Sequence, residues 1–198
     1  QENRILSHDL LEGCYARSGL LSDVLLFEEY PESYRTDVER RSRWIRGDWQ
    51  LIPWLFPVLP NGNGASRKNP LSLLSWWKIM DNLRRSLIPS ALLLLLISGW
   101  IILQSSWFWT LVVFGIILIP PFLISVVYIL QKPEDVILRQ HFTSAGRIVV
   151  RQLSQAAFFL MSLPYEAFYS LDSILRACWR LFFSKKRLLE WNSATGED

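Results

Sequence analysis

Taken at 100° per residue, Val38, Ile45, Trp49 and Ile52 fall on one narrow apolar stripe, while Arg40, Arg43, Trp44 and Gly47 cluster on the opposite side. The spacing predicts a helix over Asp37–Gln50, opened by Thr36 and Glu39 as a capping box. Ahead of it, Leu10, Leu11 and Tyr15 follow the acidic Asp9 and suit a short helix, weakened by Gly13 and ended by Gly19. Asp23 to Glu29 reads as a short strand, and Tyr30-Pro31-Glu32-Ser33 as a turn into the basic helix. That order suits the last part of an α/β domain, over residues 1–60, whose sheet lies mostly upstream.

Beyond Pro53, Pro57 and Pro60 the pattern changes twice. Asn61-Gly62-Asn63-Gly64 reads as a plain loop. From Asn69-Pro70, Leu71, Leu74, Trp77 and Ile79 or Met80 align, with Lys78, Asp81, Arg84 and Arg85 elsewhere, so residues 61–86 read as a loop and an amphipathic interfacial helix. Leu87 to Leu103 carries no charge, and Gln104-Ser105-Ser106 is the only polar break before the apolar run from Trp107 to Leu130. At about 1.5 Å per residue each run is long enough to cross hydrocarbon, so residues 87–130 read as a transmembrane hairpin, kinked at Pro120-Pro121. Lys78, Arg84 and Arg85 precede the hairpin, Lys132 and Arg139 follow it, and its loop has no positive charge, which places both ends in the cytoplasm. Residues 131–198 read as a pair of interfacial or re-entrant helices with a polar tail from Ser193, a third span at 148–163 being the alternative.

Composition supports the bilayer. Hydrophobic residues make up 51%, with ten Trp and eleven Phe, concentrated in the second half. The net charge of +3 is small, and the Lys and Arg lie in short clusters beside apolar runs, which points to anionic lipid headgroups and not to nucleic acid. Cys14 and Cys178 have no metal or disulfide spacing and read as reduced packing residues.

Two places can carry chemistry. On the basic helix, Arg40 and Arg43 lie one turn apart beside an indole and a glycine, a set able to grip a diphosphate and stack a sugar ring. The plainer reading is a solvated basic face with Trp44 packing at its edge. In Ser7-His8-Asp9-Leu10-Leu11-Glu12, Asp9 is the candidate general base, or simply an N-cap, with Glu12 one turn on. His8 and His141 lack a second ligand at metal spacing and read as surface or satisfied polar residues. Asp48 reads as the partner of a neighbouring arginine.

An acidic helix mouth, then Arg-x-x-Arg-Trp some thirty residues later, then membrane helices, resembles the end of the catalytic domain of processive, membrane-embedded family 2-like glycosyltransferases. The longer words Ser7-His8-Asp9-Leu10-Leu11-Glu12-Gly13-Cys14-Tyr15-Ala16-Arg17, Glu28-Glu29-Tyr30-Pro31 and Arg43-Trp44-Ile45-Arg46-Gly47-Asp48-Trp49-Gln50 are similar to the transferase region of the bacterial cyclic β-1,2-glucan synthases. Asp81-Asn82-Leu83-Arg84-Arg85-Ser86-Leu87 and Leu188-Leu189-Glu190-Trp191 extend the likeness. The resemblance implies an α/β C-terminal part of a GT-A domain followed by transmembrane and interfacial helices, a mostly helical slice of a larger polypeptide. It implies transfer of glucose from UDP-glucose to a β-1,2-glucan, with inversion. Asp9 matches the base, Arg43 the diphosphate ligand and Trp44 the floor under the acceptor sugar. Arg40 stands where the wider group has glutamine, and binds sugar or phosphate; His8 stands where it has glutamate. A divalent metal, Mg or Mn, is expected on residues outside this chain, leaving the slice inert alone. The expected location is the bacterial inner membrane, multi-pass, with the catalytic part facing the cytoplasm and Trp76 and Trp77 setting its depth. Another periplasmic-glucan transferase, or a non-catalytic membrane anchor, is the alternative.

Overall fold

A computed structural model of the chain describes residues 9–15, 19, 21–27, 30–60, 66–131 and 136–186. Ser7, His8, Glu28, Glu29, the loop residues 61–64, Lys132, Arg187, the word at 188–191 and the tail from Ser193 lie outside the described residues. In order come helix α1 (Asp9–Tyr15), helix α2 (Tyr34–Gln50), a 3₁₀ turn (Ile52–Leu55) and strands β1 (Val58–Pro60) and β2 (Ser66–Lys68). Helices α3 (Leu73–Ile101), α4 (Ser106–Leu130) and α5 (Leu138–Trp179) follow, with a π turn at Arg180–Ser184. The chain divides into two compact units, one holding residues up to Ile88 together with those from Phe168 on, the other Pro89–Ala167.

Four expectations change. The strand over Asp23–Glu29 is absent from residues 23–27, whose apolar side chains are exposed, Phe27 to 95%. A strand holds only when its backbone finds a partner, and the strands among the described residues pair with each other. That hairpin is antiparallel, Val58 opposite Lys68 and Leu59 opposite Arg67, flanking what was expected to be a plain loop. Helix α2 begins one turn early: Ser33, in an extended conformation, is the N-cap, its Oγ accepting from the Thr36 amide at 3.2 Å. The interfacial helix and the first span are one helix, α3, which runs through Pro89. A change from amphipathic to apolar alters what the side chains face but supplies no cap, so the backbone continues. For the same reason residues 138–179 form one helix through Pro164 instead of a pair.

In the first unit the core is Leu51, Trp54, Leu59 and Ile79, with Leu10, Leu11, Leu55 and Leu71 packed on it. Polar groups tie its pieces. The Asn69 side-chain amide donates to the carbonyls of Trp54 (2.7 Å) and Phe56 (2.9 Å), and its Oδ1 accepts from the Leu71 amide at 3.0 Å. Trp76 Nε1 donates to Leu55 O at 3.0 Å, fastening the start of α3 to the 3₁₀ turn.

In the second unit the ends of α3 and α4 meet at the short 102–105 connection, where Ser105 adopts a left-handed conformation. Trp100 Nε1 donates to Thr110 Oγ1 at 2.9 Å, and a Cβ added at Gly99 would come 2.5 Å from that of Trp109, so only glycine fits there. Helix α4 runs through Pro120 and Pro121, and the Ser125 hydroxyl donates to Pro121 O at 2.8 Å. Ser90 Oγ donates to Ala167 O at 3.3 Å. His141 is buried, with Nε2 3.1 Å from the Ile129 carbonyl at the end of α4 and its ring stacked on Tyr128, which makes it the satisfied polar residue expected. Helices α3 and α4 are long and apolar enough to cross a membrane; the 148–163 stretch of α5 does not meet that standard.

Candidate functional site

Helix α2 is held on two sides. Towards α3, Trp49 Nε1 donates to Ser86 Oγ at 2.9 Å and the Asn82 amide donates to Asp48 Oδ1 at 3.0 Å, so Asp48 has a partner that is an amide, besides any arginine. Val38, on the predicted apolar stripe, is buried, and Ile45 and Trp49 are half-buried. Ile52 belongs to the following 3₁₀ turn. Towards the end of α5, the Ser42 and Ser173 hydroxyls hydrogen-bond, and the Arg41 guanidinium lies over the Tyr169 ring at 5.4 Å and the Tyr34 ring at 5.8 Å.

The remaining face carries the candidate residues. Arg40 and Arg43 are half-buried and Trp44 is 58% exposed. Arg40 lies over Trp44, its Cζ 4.9 Å from the ring centroid, and its Nη2 pairs with Asp37 Oδ1 at 2.9 Å. Arg41 Nε lies 2.8 Å from the other Asp37 oxygen, so one carboxylate clasps two guanidiniums. Arg40 Nε is buried without an acceptor among the described residues, an uncommon state for a donor carrying part of a positive charge. Gly47, the glycine of that set, is buried.

Asp9 is exposed in the first turn of α1. The two leucines after it, Leu10 and Leu11, pack on the core cluster that includes Leu51. Leu51 caps α2 and falls, at 100° per residue, within 20° of Trp44 on the same face. Along the axis it stands seven residues, roughly 10 Å, beyond Trp44. The helix that carries Asp9 is therefore seated on the core of the first unit, to which Leu51, at the end of α2, also belongs.

The Asp37 clasp was readable from its i,i+3 and i,i+4 spacing. The contacts with α5 were not: Ser42 and Ser173 stand 131 residues apart, and no local pattern joins them. Among the described residues no group of three or more His, Cys, Asp and Glu side chains could hold a metal ion. The divalent cation is expected on residues outside this chain, so these residues leave that expectation where it stood.

No family model matches the chain. It is 37% identical over 196 residues, 98% of its length, to the cyclic beta-(1,2)-glucan synthase NdvB of Rhizobium meliloti strain 1021. The chain spans about 7% of the length of that relative. The similarity is thus to one short segment of a much larger synthase, and it runs through every described element of both units.

Proposed function

We propose that this chain is the acceptor-side segment of a membrane glucosyltransferase of the cyclic β-1,2-glucan synthase type, completing a GT-A catalytic domain at the cytoplasmic face of the inner membrane. The observation that carries this reading is the identity over 98% of the chain, joined to the packing of Leu10 and Leu11, next to Asp9, on the core cluster that includes Leu51 at the end of α2.

The substrates are UDP-glucose and the non-reducing end of a β-1,2-glucan. Trp44, exposed and rigid in its helix, offers a flat apolar surface to the acceptor glucose. Asp9 takes the proton of its 2-hydroxyl as that oxygen attacks the anomeric carbon, and the glycosidic bond to UDP breaks with inversion. Arg43 holds the departing diphosphate, whose growing charge a fixed guanidinium stabilises more than it does the ground state. Arg40, tied to Asp37 and spread over Trp44, positions the indole, and its unaccepted Nε is a donor that a sugar hydroxyl or phosphate oxygen would satisfy. The hairpin of α3 and α4 anchors the segment in the bilayer as part of a multi-pass protein.

Nucleotide and glucan titrations of the full-length protein test the division of roles. Arg43→Ala should weaken UDP binding by about tenfold or more, the loss of one charged hydrogen-bonding pair, and leave glucan affinity nearly unchanged. Trp44→Ala should do the reverse. Equal losses of both ligands in either variant would contradict the assignment. A membrane anchor whose arginines bind lipid phosphate would show no nucleotide effect from either.

A further inference from the structure

The C-terminal end of α5 turns Ile174 and Ala177 inward together with two serines. Ser170 and Ser173 are buried at 2% and 1% exposure, and Ser173 bonds Ser42 of α2. On the opposite side Phe168, Leu171, Leu175, Trp179, Phe182 and Phe183 are all exposed. Their spacing of three and four residues puts them on one stripe about 120° wide. A water-soluble helix buries such a stripe; here it faces outward. The one acidic residue within the stripe, Asp172, is neutralised by Arg176, with Nε to Oδ1 at 2.8 Å. Trp179 stacks on Phe183 with centroids 4.7 Å apart, presenting two rings side by side.

We propose that this stripe is a docking surface for an anionic lipid bilayer, with the end of α5 lying in the headgroup region parallel to the membrane plane. The charge pattern selects the occupant. Arg180 borders the stripe and Lys185 and Lys186 close it, while Asp172 and Arg176 cancel as a pair. Basic residues at the border of an aromatic and aliphatic face match phosphate headgroups above hydrocarbon, whereas a protein partner would have to present acidic groups in that same border arrangement. The segment from Phe168 to Lys186 measures roughly 27 Å if helical throughout and carries charges at each turn, so it is unsuited to crossing the roughly 30 Å of hydrocarbon. Lying flat, it keeps the rings in the hydrocarbon boundary and Arg180, Lys185 and Lys186 at the surface, while Asp172 enters as a pair with Arg176. The inference uses no feature of the glucosyl transfer reaction and stands apart from it.

Spin labels test it in the full-length protein, with native cysteines replaced, reconstituted into vesicles of phosphatidylglycerol and phosphatidylethanolamine. Labels at Phe168→Cys, Leu175→Cys and Phe182→Cys should collide severalfold more with oxygen than with a water-soluble nickel chelate, at one common depth. Labels at Ser170→Cys and Ser173→Cys should be shielded from both reagents, and a correctly oriented helix shows itself by that contrast even where one variant misfolds. Outward labels shielded from both reagents would mean a protein surface, a second copy included, and would overturn the proposal. Accessibility to the nickel chelate would mean water, and a depth rising steadily from Phe168 to Phe182 would mean a crossing helix; either result also overturns it.

Discussion

Arg40 illustrates how one residue can be charged and yet committed. Its guanidinium is shared between Asp37 and the Trp44 ring, so its charge is partly spent before any ligand arrives. A glutamine at this position would keep a donor for a hydroxyl but lose the stacking. The Arg40 Nε is buried and meets no acceptor among the described residues. Cys178 behaves in the opposite way. Burial pushes its thiol above the usual range, because the thiolate loses hydration that nothing nearby replaces. Its alkylation by iodoacetamide should therefore reach half its maximal rate at a higher pH than a free thiol does. Labelling with the profile of a free thiol would contradict this environment.

At the scale of elements, the start of α2 is decided by two hydroxyls. Ser33 Oγ accepts from the Thr36 amide and also bonds Thr36 Oγ1 at 2.8 Å, so Thr36 supports the cap and Ser33 makes it. Ser33→Ala should cost about 1 kcal/mol, and Thr36→Ala clearly less, read as the midpoint of thermal unfolding in detergent. A larger loss for Thr36→Ala would restore the later start that Thr36 and Glu39 suggest in the sequence. The apolar runs of α3 and α4 were legible because hydrophobic length is a local property, and α1 because Asp9, Leu10 and Leu11 stand together. The joins were not legible. Pro89 and Pro164 look like boundaries, yet each lies inside a continuous helix. The 58–60 and 66–68 hairpin was hidden by three-residue strands too short to show alternation.

At the scale of the whole molecule, the face of Arg40, Arg43 and Trp44 was readable from periodicity alone, but its surroundings were not. The buried Gly47 and the support from Tyr169 and Ser173 arise from packing between distant segments, which no spacing rule reports. The two compact units divide as the composition does: the arginine-rich helix α2 belongs to the first, and most of the apolar length of α3 and α4 to the second. The account rests on Asp9 acting as a base beside that face. The direct measurement is transfer of radiolabelled glucose from UDP-glucose to glucan by membranes holding full-length Asp9→Asn protein at the wild-type level. Asparagine keeps the shape of the helix mouth and removes only the ability to take a proton, so turnover should fall about 10²- to 10⁴-fold with UDP affinity retained. Turnover at the wild-type rate would contradict the account.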